Sequence, residues 1–455
     1  MNPTRCLLAI LTAASLGAQS SPGALQATSE RLRAEAFRTH GAYADLAWLC
    51  DRIGNRLSGS PQLDLAIIWA QERLKAAGLV NVHAEPVMVP HWVRGHESAE
   101  LLLPTPHRLN ILGLGGSVGT LEGGLTADVV VVGSFDELDK LGASVKGKIV
   151  LFDVPYKGYG HTVVYRHDGA ARAAKYGAAA ALVRSVGPVS LDTPHTGAMD
   201  YDPAVPKIPT AAVTIEDSTL MRRMQDRDER IQMKLEMGAK TRPDAPSANV
   251  VAEIRGTEKP EEVVLLSGHL DSWDVGQGAQ DDGAGTVIAM EAARLIQSLG
   301  LKPRRTIRVV LWTNEENGLR GGKAYRDAHR SEFKNIIAAL ETDSGSERVK
   351  GFHLELAKAG PEAKTVALAS LKSLEAAIKP FSVTLSLGHS GADVSAMVAE
   401  GVPGIGVEHA GTHYFDVHHT QADTFDKVEK DDLAYNAAVL ATFAYALAQS
   451  DVRFQ

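Results

Sequence analysis

Histidine and acidic residues recur just beyond apolar runs in the second half of the chain. VVLLSGHLD places His269 and Asp271 after one run, RVVLWTNEE places Glu315 and Glu316 after a second, and IIAALETD places Asp343 after a third. QDDGAG carries Asp281 and Asp282 on a loop just before a helical stretch, and VHHTQADT adds His418, His419 and Asp423 near the far end. Imidazole and carboxylate without thiolate suit Zn²⁺, with Co²⁺ or Mn²⁺ as substitutes. The carboxylates are too many for one tetrahedral zinc, and sharing one of them between two metals accommodates the excess. Two Zn²⁺ on His269, Asp281, Glu316, Asp343 and one late histidine would set four positive charges against three carboxylates. A bridging hydroxide would make that site neutral, a sound design for a nucleophile near neutral pH.

The adjacent glutamates can divide the work. Successive side chains on an extended segment point opposite ways, so one can bind metal while its neighbour faces the bound water as general base. Asp271, on the same side of the chain as His269, is placed to accept the imidazole's other N–H and fix its tautomer. Three other motifs lead elsewhere or nowhere. GGSVG at 115–119 has the spacing of a serine nucleophile elbow, but TLEGG follows it where the elbow needs a helix. DVGQGAQDD resembles a dinucleotide loop, yet Asp281 occupies the third glycine position, where a carboxylate would repel pyrophosphate. No H-E-x-x-H is present.

The groups need an open sheet to gather them. From Val250 onward, apolar runs (VVLLSGH, TIRVVLWTN, IIAALETD, PGIGVEH) alternate with helical stretches, among them GTVIAMEAARLIQSL and LAYNAAVLATFAYALAQ. Near-continuous apolar strands joined by helices predict an α/β fold with a mostly parallel, mixed sheet covered on both faces. Ligands of such sheets bind at the carboxyl ends of the strands, which is where His269, Glu316 and Asp343 fall. Ala27 to about Leu79 reads as helical, with Leu65, Ile68, Trp69, Leu74 and Leu79 on one periodic face, and VNVHAEPVMVP and AELLLP read as strands. From near Gly115 to about Lys240, short β runs between Gly- and Pro-rich turns predict a separate small α/β module, and RPDAPSANVV predicts a linker.

The chain has 455 residues, enough for two or three domains, and a formal net charge of −8. Aromatic residues make up 5% and no Lys/Arg run stands out, which argues against a nucleic-acid binder built on a basic patch. Cys6 and Cys50 are the only cysteines, so a disulfide framework is excluded. MNPTRCLLAILTAASLGAQS has the charged start, short apolar run and small-residue stop of a secretory signal peptide, expected at 1–18. The mature chain is expected to be secreted or periplasmic and not membrane-bound.

SGHLDSWDVGQGAQDDGAG, RVVLWTNEENG, LDTPHTGAMDY, VPKIPTAAVTIEDS and MGAKT carry a resemblance to the co-catalytic di-zinc exopeptidases that extends over most of the mature chain. The resemblance implies a peptidase domain built from 27–115 and 241–455, interrupted by a protease-associated insert at 116–240. It implies one zinc on His269 and Asp343, the other on Glu316 and a late histidine, with Asp281 bridging and Glu315 as general base. The family's late histidine precedes Ser or Thr, which selects His419 over His418, with His413 as a weaker competitor. The GHSGADVSAM and GTHYFD stretches depart most from the family pattern. The implied activity is that of a secreted di-zinc exopeptidase acting on dipeptides or short peptides. The rivals are a single-zinc acyl transferase or cyclase, and a non-catalytic binding protein on the same fold. The expected cofactor is two Zn²⁺ per chain. The expected partner is a small peptide substrate, with no nucleic acid and a homodimer left open.

Overall fold

Residues 22–454 are described by this computed structural model. The signal peptide expected at 1–18 lies outside the described residues. Two sheets of eight strands organise the chain.

The first sheet has the strand order Val80–Val93, Lys240–Ile254, Arg305–Trp312, Lys259–His269, Ile336–Glu341, Gly404–His409, Val349–Glu355 and Thr384–Leu387. Its centre is parallel, from Arg305–Trp312 across to Gly404–His409. Antiparallel pairs stand at either side. The central strands are apolar without alternation because both faces are covered. Val264, Leu266, Val309 and Leu311 point into a core built with the helices Ala284–Ser298 and Lys430–Gln449. Val263, Leu265, Val310 and Trp312 point the other way, onto Tyr325, Val394 and Met397.

The second sheet spans Glu97–Leu103 to Gln232–Met237 and contains the runs at Leu125–Val132, Ile149–Phe152, Ala180–Arg184 and Thr210–Val213. It starts ahead of the boundary at 116. Glu97–Leu103 pairs with Gln232–Met237, and Ile111–Gly113 pairs with Thr210–Val213, so strands assigned by order to the first unit join the second by pairing. The segment 242–251 is not a linker either. It lies in the strand Lys240–Ile254, paired along its length with Val80–Val93 from Val93 opposite Lys240 onward. Pairing on the other flank begins only at Val250. Pro243 and Pro246 are therefore tolerated on a locally free edge that needs no N–H from them. The 115–119 glycine segment is a loop, with no helix after it.

Three helices, Pro22–Thr39, Gly41–Arg52 and Pro61–Ala76, form the N-terminal helical region. The last buries Leu63, Ala66, Trp69, Ala70 and Leu74, while Leu65 and Ile68 are about half exposed. The small alanines, invisible to an apolar-bulk pattern, turn the packed face away from Leu65 and Ile68. No helix among the described residues is long and apolar enough to cross a membrane.

Cys50 is free and buried, and burial pushes its thiol up to about 12. Since the thiolate is the reactive form, Cys50 of the native protein should resist iodoacetamide at pH 8 and react once the chain is unfolded. Rapid native labelling, read on the Cys50 peptide by mass spectrometry, would contradict this burial.

Candidate metal centre

The carboxyl edge of the parallel strands delivers the site. His269 ends Lys259–His269, Glu315 and Glu316 follow Arg305–Trp312, and Asp343 follows Ile336–Glu341. Asp281 sits in the turn Ala279–Gly283 that leads into Ala284–Ser298, and His418 and His419 follow the short helix Tyr414–Val417.

Asp281 lies at the middle. Its Oδ1 is 3.2 Å from His269 Nε2, and its Oδ2 is 3.0 Å from His419 Nε2. His269 Nε2 is also 3.6 Å from Asp343 Oδ1, and His419 Nε2 is 3.0 Å from Glu316 Oε2. Two donor groups result. Ligand atoms of His269, Asp281 and Asp343 lie within 4.8 Å of one another, as do those of Asp281, His418 and His419. His418 Nε2 stands 3.5 Å from Asp281 Oδ2, its ring stacked on that of His419 at 3.5 Å between centroids. It does not share the contact with Glu316. His413 is exposed and bonded to Asp416, away from the group.

The surroundings fix these side chains. Asp423 accepts from the N–H groups of Ala279, Gln280 and Asp281, holding the loop that presents Asp281. Asp282 turns away from the donor groups and accepts from the N–H of His269 and of Gly285, tying the strand end to the helix start. Glu316 Oε1 accepts from the main-chain N–H of Trp273 at 3.2 Å. Asp271 works differently from expectation. His269 Nδ1 faces the Asp271 main-chain carbonyl at 3.0 Å, with the carboxylate 3.8 Å away. That carboxylate instead accepts from the N–H of Glu315 at 3.0 Å and of Glu316 at 3.4 Å. One residue thus orients the imidazole through its backbone and the glutamate pair through its side chain.

The charges are finely opposed. Burial would raise Asp281, but hydrogen bonds from His269 and His419 hold it well below the usual carboxylate range. Burial, with Asp281 beside it, lifts Glu316 to about 7 against the pull of His419. Burial pushes Glu315 well above the carboxylate range too; His269 opposes this, and Asp343 and Glu316 add to it. Burial works against charge on His269 and His419, yet the carboxylates facing them outweigh it and hold both well above the ordinary imidazole value. Burial and the charge of His419 hold His418 well below. Ligands bind divalent cations in their deprotonated forms, so a cation here would replace those protons. One further observation fits a cation: Asp343 Oδ1 is buried with no hydrogen-bond partner, a costly state that a metal bond would relieve.

A cavity of about 930 Å³ opens above the donors. Asp281, Glu315, Glu316 and Asp343 line its floor, and Tyr159, Arg166 and Met199 of the second sheet's unit form part of its wall. Arg166 and Thr196 reach His419 across 253 and 223 positions of sequence. Nothing local in the sequence marks that approach.

Fold and site together define a class: α/β proteins whose side chains able to hold metal gather at the carboxyl edge of a sheet. Residues 249–444 match Peptidase family M28. The chain is similar to carboxypeptidase Q of Bos taurus, 47% identical over 90% of this chain and 85% of that protein. With carboxypeptidase Q of Homo sapiens it is 45% identical over 90% of this chain and 86% of that protein. The crystal structure of a peptidase M28 precursor from Shewanella amazonensis SB2B superposes with a TM-score of 0.90 at 38% identity, covering 95% of this chain and 98% of that one. The chain belongs to the carboxypeptidase Q family, within peptidase family M28.

Proposed function

We propose that this chain is an exported di-zinc exopeptidase that hydrolyses dipeptides or short peptides. The observation that carries the reading is the two-sided placement of Asp281, one oxygen toward His269 and the other toward His419. His269 and Asp343 would hold one zinc, Glu316 and His419 the other, with Asp281 shared. Bound zinc supplies Lewis acidity and an acidified water near neutral pH. Glu315, on the cavity floor, takes the proton of the attacking water and returns it to the leaving amine nitrogen. Its elevated affinity for a proton suits that transfer. Asp271 holds Glu315 and Glu316 on their separate tasks through its two backbone bonds. The unit built on the second sheet is read as a protease-associated insert that walls the cavity and limits the length of peptide admitted. Export rests on the leader-like sequence at 1–18.

The test is metal content with activity. Purified protein dialysed against metal-free buffer should retain close to two equivalents of zinc and cleave free dipeptides. A fully active sample with one reproducible equivalent would sink the two-metal reading, and a two-zinc protein inert on every peptide would sink the exopeptidase reading.

His418 and His419 separate on their contacts. Only His419 also meets Glu316. His419→Ala should lose about one equivalent of metal together with activity, whereas His418→Ala should keep most of its metal. Elemental analysis showing the reverse would exchange the two assignments.

A further inference from the structure

We infer that the insert completes the candidate metal centre, with Thr196 and Arg166 as positioning residues that fix which nitrogen of His419 faces the metal. This rests on the two-zinc reading.

His419 and Thr196 hold each other through a reciprocal pair. The Thr196 N–H donates to the His419 carbonyl at 2.9 Å, and His419 Nδ1 faces the Thr196 carbonyl at 3.3 Å. A carbonyl only accepts, so this contact is satisfied when Nδ1 carries the ring proton; Arg166 Nη1, 3.5 Å from the same nitrogen, donates instead to the nearer Thr196 carbonyl. Nε2 then presents a lone pair toward Asp281 Oδ2 and Glu316 Oε2, each 3.0 Å away. Without metal those contacts are met by a proton on Nε2, which a cation among the three groups would replace. The outer contact therefore selects the tautomer that a metal requires.

The Thr196 carbonyl is itself held. Arg166 donates to it through Nη1 at 3.4 Å, to the Ala198 carbonyl through Nε at 3.2 Å and to the Tyr159 hydroxyl through Nη2 at 2.9 Å. The Thr196 hydroxyl donates to the Gly113 carbonyl at 2.9 Å and accepts from Arg94 at 3.3 Å. Arg166 and Thr196 are both buried. Gly197 makes the approach feasible, since a Cβ there would fall 2.3 Å from the Arg166 guanidinium. His419 has φ +58°, a left-handed backbone that side chains disfavour, and the Thr196 N–H bond secures it. None of these partners touches His269 or Asp343 in the structure's hydrogen bonds. The insert therefore supports the Glu316–His419 position selectively. By reciprocity, metal bound there holds the loop around Thr196 in place.

The experiment is stepwise Co²⁺ titration of the metal-stripped full chain, followed by visible absorption against a competing chelator. Wild type should take up two equivalents. Arg166→Met should weaken one of them by about 10–100-fold, as loss of an outer partner typically does, leaving the other equivalent unchanged. Arg166→Lys, which keeps a cationic N–H donor, should recover part of the loss. Two wild-type affinities in Arg166→Met, or an equal loss of both, would overturn the inference. Hydrogen exchange of the unmutated protein gives an independent check: stripping the metal should speed exchange of the Thr196 amide by about tenfold or more. Thr196 protection indifferent to metal would overturn it as well. A wild-type protein that takes up only one equivalent would instead overturn the two-metal reading beneath it.

Discussion

Glu315→Gln is expected to lose ~10²–10⁴-fold in kcat while keeping both metal equivalents. Glu315 lines the cavity and is not a member of either donor group. Glu316 meets His419 at 3.0 Å and accepts from the main-chain N–H of Trp273, the contacts expected of the ligand of the pair. The amide at 315 preserves shape and removes the proton acceptor. KM should change little, since the metals and the cavity wall are untouched. Steady-state kinetics on a dipeptide, with zinc measured in the same preparation, decides the matter. A two-zinc Glu315→Gln enzyme with near-native kcat would remove Glu315 from the chemistry. Loss of zinc in that variant would make it a ligand instead.

Asp281→Ala should be more severe, because one side chain serves both positions. Its two oxygens reach His269 and His419 separately. On the proposed two-zinc reading, truncation removes a ligand from each metal, and it removes the anion lying between the two imidazoles. Metal catalysis supplies several kcal/mol of transition-state stabilisation, so kcat/KM should fall by at least ~10³-fold. Both equivalents should weaken together in a chelator titration. Retention of one tight equivalent would show that Asp281 belongs to one position only. The sheet and its helices draw on apolar packing remote from Asp281, so circular dichroism should stay close to that of the stripped wild type.

The groups most legible in the sequence stand directly after central strands. His269, Glu316 and Asp343 follow apolar runs whose burial on both faces forces the next polar residues to the sheet's edge. Asp281 is legible because a paired aspartate before a buried helix has few structural uses, and the structure gives Asp282 one of them. Pairing partners are not legible. Lys240–Ile254 contains two prolines and reads locally as a spacer, and its alignment with Val80–Val93, joined from Val250 by Arg305–Trp312, makes it a strand. Glu97–Leu103 joins the second sheet for the same reason. Asp271 shows a finer limit: the spacing from His269 places the residue correctly, but whether carbonyl or carboxylate meets the ring depends on where the 315–316 backbone arrives. The wall formed by Arg166 and Tyr159 belongs to a different sheet and leaves no periodic trace.

The pairing of Val93 with Lys240 bears on how the chain reaches its native state. The two long strands form a hairpin whose connecting loop is the whole second unit. Closing an unstructured loop of that length costs roughly 3 kcal/mol more than closing a tight turn. A unit that folds early brings its own ends to the spacing of paired strands and removes most of that entropic cost. The second unit then serves as the turn of the hairpin, and its assembly governs when that edge of the first sheet zips into register.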